Sequence, residues 1–166
     1  MKKIALLSLL AIVLTGCPIG LDYAPGNLGT EKVDENLAGT WLFSESQDGE
    51  DHEVMKATFK KINDYSYSVT VLEKGEMYAL ETDDLTMYQT TIDGLNIMYL
   101  KPSNEDDYYL YQFVLKDKKT LVTADVSLLD GGIETVVSTE SLRQQIIASK
   151  NQEEFLNLPT TTFKKQ

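Results

Sequence analysis

The chain has 166 residues, of which 42% are hydrophobic, and its 26 acidic residues outnumber its 15 basic ones to give a formal net charge of −11. Such a surface is repelled by nucleic-acid phosphates and by anionic lipid headgroups, so neither is expected as a partner. With one cysteine, one histidine and one arginine, and without a Gly-x-Ser-x-Gly elbow or a phosphate-binding loop, the sequence predicts neither an enzyme nor a cofactor site.

The N-terminal segment has the organisation of a signal peptide. Met1-Lys2-Lys3 is followed by an apolar run from Ile4 to Leu14, which is too short to remain as a membrane span. Leu14-Thr15-Gly16-Cys17 then resembles the lipobox of bacterial lipoproteins. The resemblance implies that residues 1–16 are removed and that Cys17 carries a thioether-linked diacylglycerol, usually with a further acyl chain on the new amino terminus. Cleavage by the ordinary signal peptidase, which would leave a free thiol, is the alternative.

Residues 17–36 are predicted to join this lipid anchor to the folded body. The stretch contains Pro18, Pro25 and three glycines and shows no apolar periodicity, which is typical of a flexible linker. Two or three acyl chains hold a protein in a membrane almost permanently, so the sequence predicts a membrane-anchored envelope protein. Pro18 stands where an aspartate holds enteric lipoproteins at the inner membrane. By that resemblance, the periplasmic side of the outer membrane is favoured in a host with two membranes.

In the body of the chain, apolar and polar residues alternate with the period of a β-strand. In the clearest run, Tyr65, Tyr67, Val69 and Val71 share one face. Eight such runs are predicted, at 40–46, 53–60, 65–73, 76–82, 85–92, 95–100, 108–116 and 120–127. Asp93-Gly94 is the pair that a two-residue hairpin prefers, and the short connections throughout predict an antiparallel up-and-down meander.

These strands are expected to close on themselves as a barrel, because closure removes exposed strand edges. An open antiparallel sheet or a β-sandwich is the alternative. After the strands, Ser138 is placed to cap one helix and Asn151 to cap a second that ends before Pro159. The sequence therefore predicts one mainly β domain over residues 37–166, with C-terminal helices within 138–158.

Gly39-Thr40-Trp41 resembles the Gly-x-Trp that opens the first strand of lipocalins, and eight strands with a C-terminal helix match the lipocalin order. The resemblance implies an eight-stranded antiparallel lipocalin-like barrel whose mouth takes a small apolar ligand. One departure is visible. Many lipocalins place an arginine late in the barrel against this tryptophan, whereas the only arginine here, Arg143, lies on the predicted helix.

Aromatic residues on the strands are candidates for the lining of such a mouth. Small barrels either fill their interior with side chains or hold one small molecule. We expect Trp41, Tyr67, Tyr78 and Tyr99 to contact the ligand, with the alternative that these rings simply form the core. A hollow barrel predicts a binding module for a small hydrophobic molecule, a lipid or a peptide. A filled barrel predicts a non-catalytic interaction or assembly protein of the cell envelope.

Two acidic stretches collect possible cation ligands. Asp48-Gly49-Glu50-Asp51-His52-Glu53 contains the only histidine, and Asn104-Glu105-Asp106-Asp107 adds further oxygen atoms. Neither has the spacing of an EF-hand loop, so no metal site is predicted, and a cation at 48–53 stays open. In the predicted meander the two stretches follow the first and the sixth strands, which places them at opposite ends of the barrel.

Overall fold

The computed structural model describes residues 20–47, 50–74, 81–129 and 132–166. The predicted signal peptide, the predicted lipidation site Cys17 and the candidate ligand residue Tyr78 lie outside these ranges. Within the ranges, the strands and helices are β1 Gly39–Gln47, β2 Glu50–Asn63, β3 Ser66–Lys74, β4 Glu81–Ile92, β5 Leu95–Pro102, β6 Tyr109–Asp117, β7 Thr120–Asp125, α1 Thr139–Ser149, α2 Glu153–Leu156 and β8 Thr161–Lys165.

Each strand pairs antiparallel with the next one along the chain, and β8 pairs with β1, so the sheet closes into a barrel. This arrangement confirms the predicted mainly β fold with eight antiparallel strands in up-and-down order, and it excludes the open sheet and the sandwich. Asp93 and Gly94 form the predicted hairpin turn, with positive φ angles of 46° and 84°.

Strand β4 covers what the sequence pattern divides into two runs, 76–82 and 85–92. The part of the first run before Glu81 lies outside the described residues. Asp83 and Asp84 interrupt the apolar alternation, and aspartate is rare in strands, but both residues pair with β3 opposite a valine and a threonine. Pairing with β3 therefore keeps this segment within one strand, although its two aspartates disfavour a strand conformation.

The eighth strand comes after the helices rather than before them. β8 pairs with β7 on one side, where Phe163 lies opposite Leu121, and with β1 on the other, where Lys165 lies opposite Trp41. Phe163 is the only large apolar residue among its five. The sequence pattern does not mark β8 because its extended state depends on two partner strands that are distant in the chain.

The two ends of the barrel differ. At the closed end, which carries the connections β2–β3, β4–β5 and β6–β7, residues 33–37 pack against the barrel core, and Val33 and Leu37 are 4% and 0% exposed. The indole N–H of Trp41 donates to the carbonyl oxygen of Leu37 at 2.8 Å, which ties this segment to β1. The opposite end, with the connections β1–β2, β3–β4 and β5–β6, is called the open end.

Helix α1 covers the outer wall of the barrel. Ser138 caps it as predicted, because the Ser138 hydroxyl accepts from the Ser141 N–H and the Ser141 hydroxyl accepts from the Ser138 N–H. Leu142 and Ile146 are fully buried against outward-facing residues of β4, β5 and β6, namely Ile92, Ile97, Tyr99 and Leu110. Both helices fall within the predicted 138–158. Among the described residues, no helix is both long enough and apolar enough to cross a membrane.

Residues 20–36, which belong to the predicted linker, lie against the barrel. Leu21 and Val33 are 7% and 4% exposed. The backbone of Leu21 exchanges two hydrogen bonds with that of Tyr108, at 3.0 and 2.9 Å. The irregular backbone that the prolines and glycines predict is present, but in this stretch it is packed on the barrel rather than free.

Candidate functional site

The open end of the barrel exposes apolar side chains of the interior. In each of the first six strands, one inward-facing side chain is buried and the next one toward the open end is only partly buried. These pairs are Trp41 and Phe43, Ala57 and Met55, Val69 and Val71, Met87 and Leu85, Met98 and Leu100, and Phe113 and Tyr111. The six partly buried members form what we call the mouth ring: Phe43, Met55, Val71, Leu85, Leu100 and Tyr111.

On β7 and β8, the inward-facing positions at the height of the mouth ring hold polar residues. Their buried inward-facing residues are Leu121 and Phe163, and the next inward positions toward the open end are Thr123 and Thr161, both partly buried. One step further on β7 stands Asp125, which is paired with Tyr111 across the β6–β7 ladder. At the level of the mouth ring, the open end is therefore apolar over six strands and carries hydroxyl groups on β7 and β8, with the Asp125 carboxyl group beside Tyr111.

The surroundings of the mouth shift the acidity of two of its groups. Burial raises the pKa of Tyr111 to about 12, and the negative charges of Asp125 and Glu73 act in the same direction. Burial also raises the pKa of Asp125, although its side chain still reaches solvent. A phenol that keeps its proton beside a carboxyl group supplies a donor and an acceptor at the edge of an apolar surface. Such a surface suits an apolar chain that ends in a polar group.

The barrel below the mouth ring is filled. Trp41 and Tyr67, which the sequence predicts as ligand contacts, are both 0% exposed. The Tyr67 hydroxyl donates to the carbonyl oxygen of Asp34 at the closed end, 3.1 Å away, and its ring meets Phe59 edge-on at 6.1 Å. These two residues belong to the core beneath the mouth, as the alternative reading of the aromatic residues has it, so a ligand in the mouth would not touch them.

Tyr99 lies on the outside of the barrel. Met98 and Leu100 on either side of it face inward, so Tyr99 faces the outer wall, where it is 1% exposed within the cluster under α1. Its ring stacks on Tyr88 with centroids 5.5 Å apart and meets Tyr108 edge-on at 6.0 Å. Contrary to the sequence prediction, Tyr99 does not line the mouth. Both faces of β5 are apolar, and the pattern alone does not show which face is interior.

The two acidic stretches do not lie at opposite ends. Residues 104–107 are in the β5–β6 connection at the open end, where β1 and β2 are also joined. The prediction is wrong because β4 is one strand, so this connection follows the fifth strand rather than the sixth. The side chains of 48–53 lie outside the described part of the chain. Within that part, no group of three His, Cys, Asp or Glu side chains is placed to hold a metal ion.

A second apolar surface lies on the outer wall. A groove of about 440 Å³ runs between β6, β7 and the chain around α2. Val114 and Leu156 contribute to its lining and are 56% and 70% exposed. Val114 faces outward on the same strand whose Tyr111 faces the mouth, so the wall of the barrel separates the two surfaces.

Sequence reasoning missed the mouth ring although the alternation contains part of it. The pattern puts Met55 on one face with Phe59, and Val71 on one face with Tyr67. The pattern does not show which end of the barrel stays open, because that depends on where residues 33–37 pack. No local signal marks that packing.

Comparison of the chain with protein-family models gives no match, and comparisons with curated proteins and with solved structures give none either. What the chain can do is therefore inferred from its own geometry. That geometry is a filled barrel with a shallow apolar mouth and a polar edge.

Proposed function

We propose that this chain is a lipid-anchored, non-catalytic protein of the cell envelope that binds the apolar part of a small amphiphile in the mouth of its barrel. The proposal rests on a difference in solvent exposure between two successive levels of the barrel interior. The lower level is closed to solvent, while the six side chains of the mouth ring stay partly exposed, and one of them, Tyr111, lies beside the Asp125 carboxyl group. Apolar surfaces that remain accessible to solvent in a folded protein commonly mark binding sites.

The shallow mouth limits the strength of binding. Covering about 30 Å² on each of the six side chains contributes about 4–5 kcal/mol, at about 25 cal/mol per Å². Because association also costs translational and ordering entropy, this free energy is an upper limit, and the dissociation constant is no lower than about 0.2 mM. The site therefore fits a ligand that is presented at high local concentration better than one captured from dilute solution.

The outer groove supports a second candidate function. Val114 and Leu156 are large apolar side chains that remain exposed on its lining. An interaction or assembly protein with a filled barrel would use this surface to contact another component of the envelope. The two candidates place their ligands on opposite sides of β6, so one pair of variants separates them.

The test compares Val71→Lys in the mouth ring with Val114→Lys on the outer wall. The probe is monododecanoylglycerol, whose neutral headgroup avoids repulsion by the acidic chain, and the readout is its effect on the thermal unfolding midpoint of the unlipidated chain from Pro18 onward. We expect the probe to raise the midpoint of the wild type and of Val114→Lys. In Val71→Lys the apparent affinity should be at least about tenfold weaker, because a bound acyl chain would desolvate the ammonium in the mouth ring.

Circular dichroism establishes that both variants keep the β fold. No rise in the wild type would rule out binding of apolar ligands in the mouth. A rise that is lost in Val114→Lys but kept in Val71→Lys would move the site to the outer groove. The anchor is tested separately with Cys17→Ser, which we expect to abolish palmitate incorporation and membrane fractionation.

A further inference from the structure

The N-terminal segment is attached to the barrel at the open end. Leu21 is 7% exposed and forms a two-bond antiparallel bridge with Tyr108, the residue before β6 begins. Gly20 lies so close to the β5–β6 connection that a Cβ there would be 2.6 Å from a carboxylate oxygen of Asp107. The first described residues of the chain thus sit beside the rim of the mouth.

From that point the segment is held along the outer wall down to the closed end. Arg143 on α1 donates to the carbonyl oxygen of Pro25 at 2.8 Å. The Glu31 carboxylate accepts from the backbone N–H of Thr91 at 3.0 Å and from the Thr90 hydroxyl. Because these contacts are spread over residues 21–31, the segment does not act as a free tether around which the barrel turns.

The predicted lipid anchor is therefore close to the mouth. Cys17 is three positions before Gly20, and an extended chain advances at most about 3.6 Å per residue, so the two Cα atoms are within about 11 Å of each other. The closed end is much farther away, since β5 alone rises about 3.3 Å per residue over its eight residues.

We propose that the open end of the barrel faces the membrane in which Cys17 is anchored, and that the occupant of the mouth is an acyl chain of a lipid from that leaflet. This inference rests on the proposed function, both for the anchor and for the mouth ring. The shallow site needs a ligand at high local concentration. A mouth that is tethered beside the bilayer meets acyl chains at such an effective concentration.

Charge at the rim narrows the class of lipid. Glu105 and Asp106, in the β5–β6 connection, are exposed at the open end, and Asp106 pairs with Lys101 at 3.3 Å. This acidic rim repels anionic headgroups and is compatible with neutral or zwitterionic ones. We expect acyl-chain capture to be stronger from phosphatidylcholine vesicles than from phosphatidylglycerol vesicles at low salt.

The orientation is tested with the full lipidated protein in phosphatidylcholine vesicles that contain a headgroup-nitroxide lipid. Lipidation of Cys17 consumes the only native thiol, so a fluorophore can be placed uniquely at Ser103→Cys, just past the open end of β5, or at Asn96→Cys, near its closed end. The two labelled positions are about 23 Å apart along one strand. We expect the Ser103→Cys label to be quenched at least threefold more than the Asn96→Cys label.

Equal or reversed quenching would overturn the orientation. An insertion of twenty Gly and Ser residues after Ile19 should remove the difference between the two labels, and persistence of the difference would overturn the tether as its cause. Neither result bears on whether the mouth binds an apolar probe in solution, which the Val71→Lys and Val114→Lys comparison measures.

The occupant is tested by photo-crosslinking in the same vesicles, with a phosphatidylcholine that carries a diazirine on one acyl chain. We expect crosslinked peptides from the mouth ring, retained in Val114→Lys and reduced at least tenfold in Val71→Lys. Crosslinks confined to the outer groove, or none at all, would overturn the membrane lipid as the ligand. A mouth that binds monododecanoylglycerol in solution would still stand in that case, with a ligand from another source.

Discussion

Trp41 is fixed at the closed end by the segment that leads into β1 and by Lys165 of β8. Its N–H donates to Leu37, and the ammonium of Lys165 lies 5.0 Å from its ring centroid while donating to the carbonyl oxygen of Asn36 at 2.7 Å. Gly39, with a φ of 124°, leaves room for this lysine, since a Cβ there would be 2.8 Å from Cε of Lys165. Lys165 thus links the tryptophan ring to the segment that leads into β1.

The raised pKa of Tyr111 makes the free energy of unfolding depend on pH in a measurable way. Burial raises its pKa in the folded protein to about 12 from the usual 10.0, so the unfolded chain loses this proton first as the pH rises. The contribution of the buried Tyr111 phenol to the free energy of unfolding is complete below about pH 10 and is lost as the pH rises through about 12. In urea titrations we expect the unfolding free energy of Tyr111→Phe to fall less over this interval than that of the wild type, by about 1–2 kcal/mol.

Tyr65→Phe is the matched control, because its ring is 37% exposed on the surface, and it should follow the wild-type profile. Asp125→Asn removes a negative charge that faces Tyr111, so the tyrosinate absorbance of one tyrosine should move to lower pH. Superimposable stability profiles of the wild type and Tyr111→Phe would contradict the burial of this phenol at the mouth.

At the scale of elements, Arg143 joins α1, β4 and the N-terminal segment. Its guanidinium donates to the carbonyl oxygen of Pro25 at 2.8 Å and to two threonines of β4 at 3.3 Å. Arg143→Met keeps the apolar stem and removes all of these donors. By hydrogen-exchange mass spectrometry, we expect the amides of residues 21–31 to exchange about tenfold faster, with little change in the barrel strands.

Gln144→Met makes the same replacement on the exposed side of the same helix and should leave exchange in the segment unchanged. Unaltered exchange in Arg143→Met would mean that the segment is held without the arginine. The anchoring contacts described above would then reduce to the Leu21 bridge and the Glu31 carboxylate.

Elements whose determinants are local could be predicted from the sequence. The Asp93-Gly94 turn and the Ser138 cap each depend on a few consecutive residues, and both are found in the structure. β4 and β8 differ because their strand state comes from neighbours across the sheet. Asp83 and Asp84 weaken the pattern inside one real strand, and β8 offers a single large apolar residue.

The candidate site was less predictable than the fold, because it depends on two properties of the whole molecule. One is which face of an apolar strand is interior, which places Tyr99 outside and Leu100 in the mouth. The other is which end of the barrel is covered, which is decided by the packing of residues 33–37. Neither property has a signature within a window of ten or fifteen residues.

For the whole molecule, closure of the barrel depends on β8, which pairs with β7 and with β1. A chain that ends at Thr160 loses these ladders and removes Phe163, which is 6% exposed, from the core. We expect the free energy of unfolding to fall by at least about 3 kcal/mol, from the loss of a buried phenylalanine alone, with loss of the near-ultraviolet dichroism of Trp41.

A chain that ends at Lys165 is the control for this truncation, because it keeps all of β8. A cooperative urea transition at the wild-type midpoint in the chain that ends at Thr160 would contradict the closing role of β8. Urea denaturation followed by circular dichroism distinguishes the two results.

The seam between β1 and β8 also constrains the order in which the barrel folds. These two strands lie far apart in the chain, so β1 and β7 keep unpaired edges until β8 adds to the sheet. Closing so long a loop costs conformational entropy before any hydrogen bond of the seam repays it, which makes ring closure a late and slow step of folding. Until that step, both edges can pair with a second chain and start aggregation.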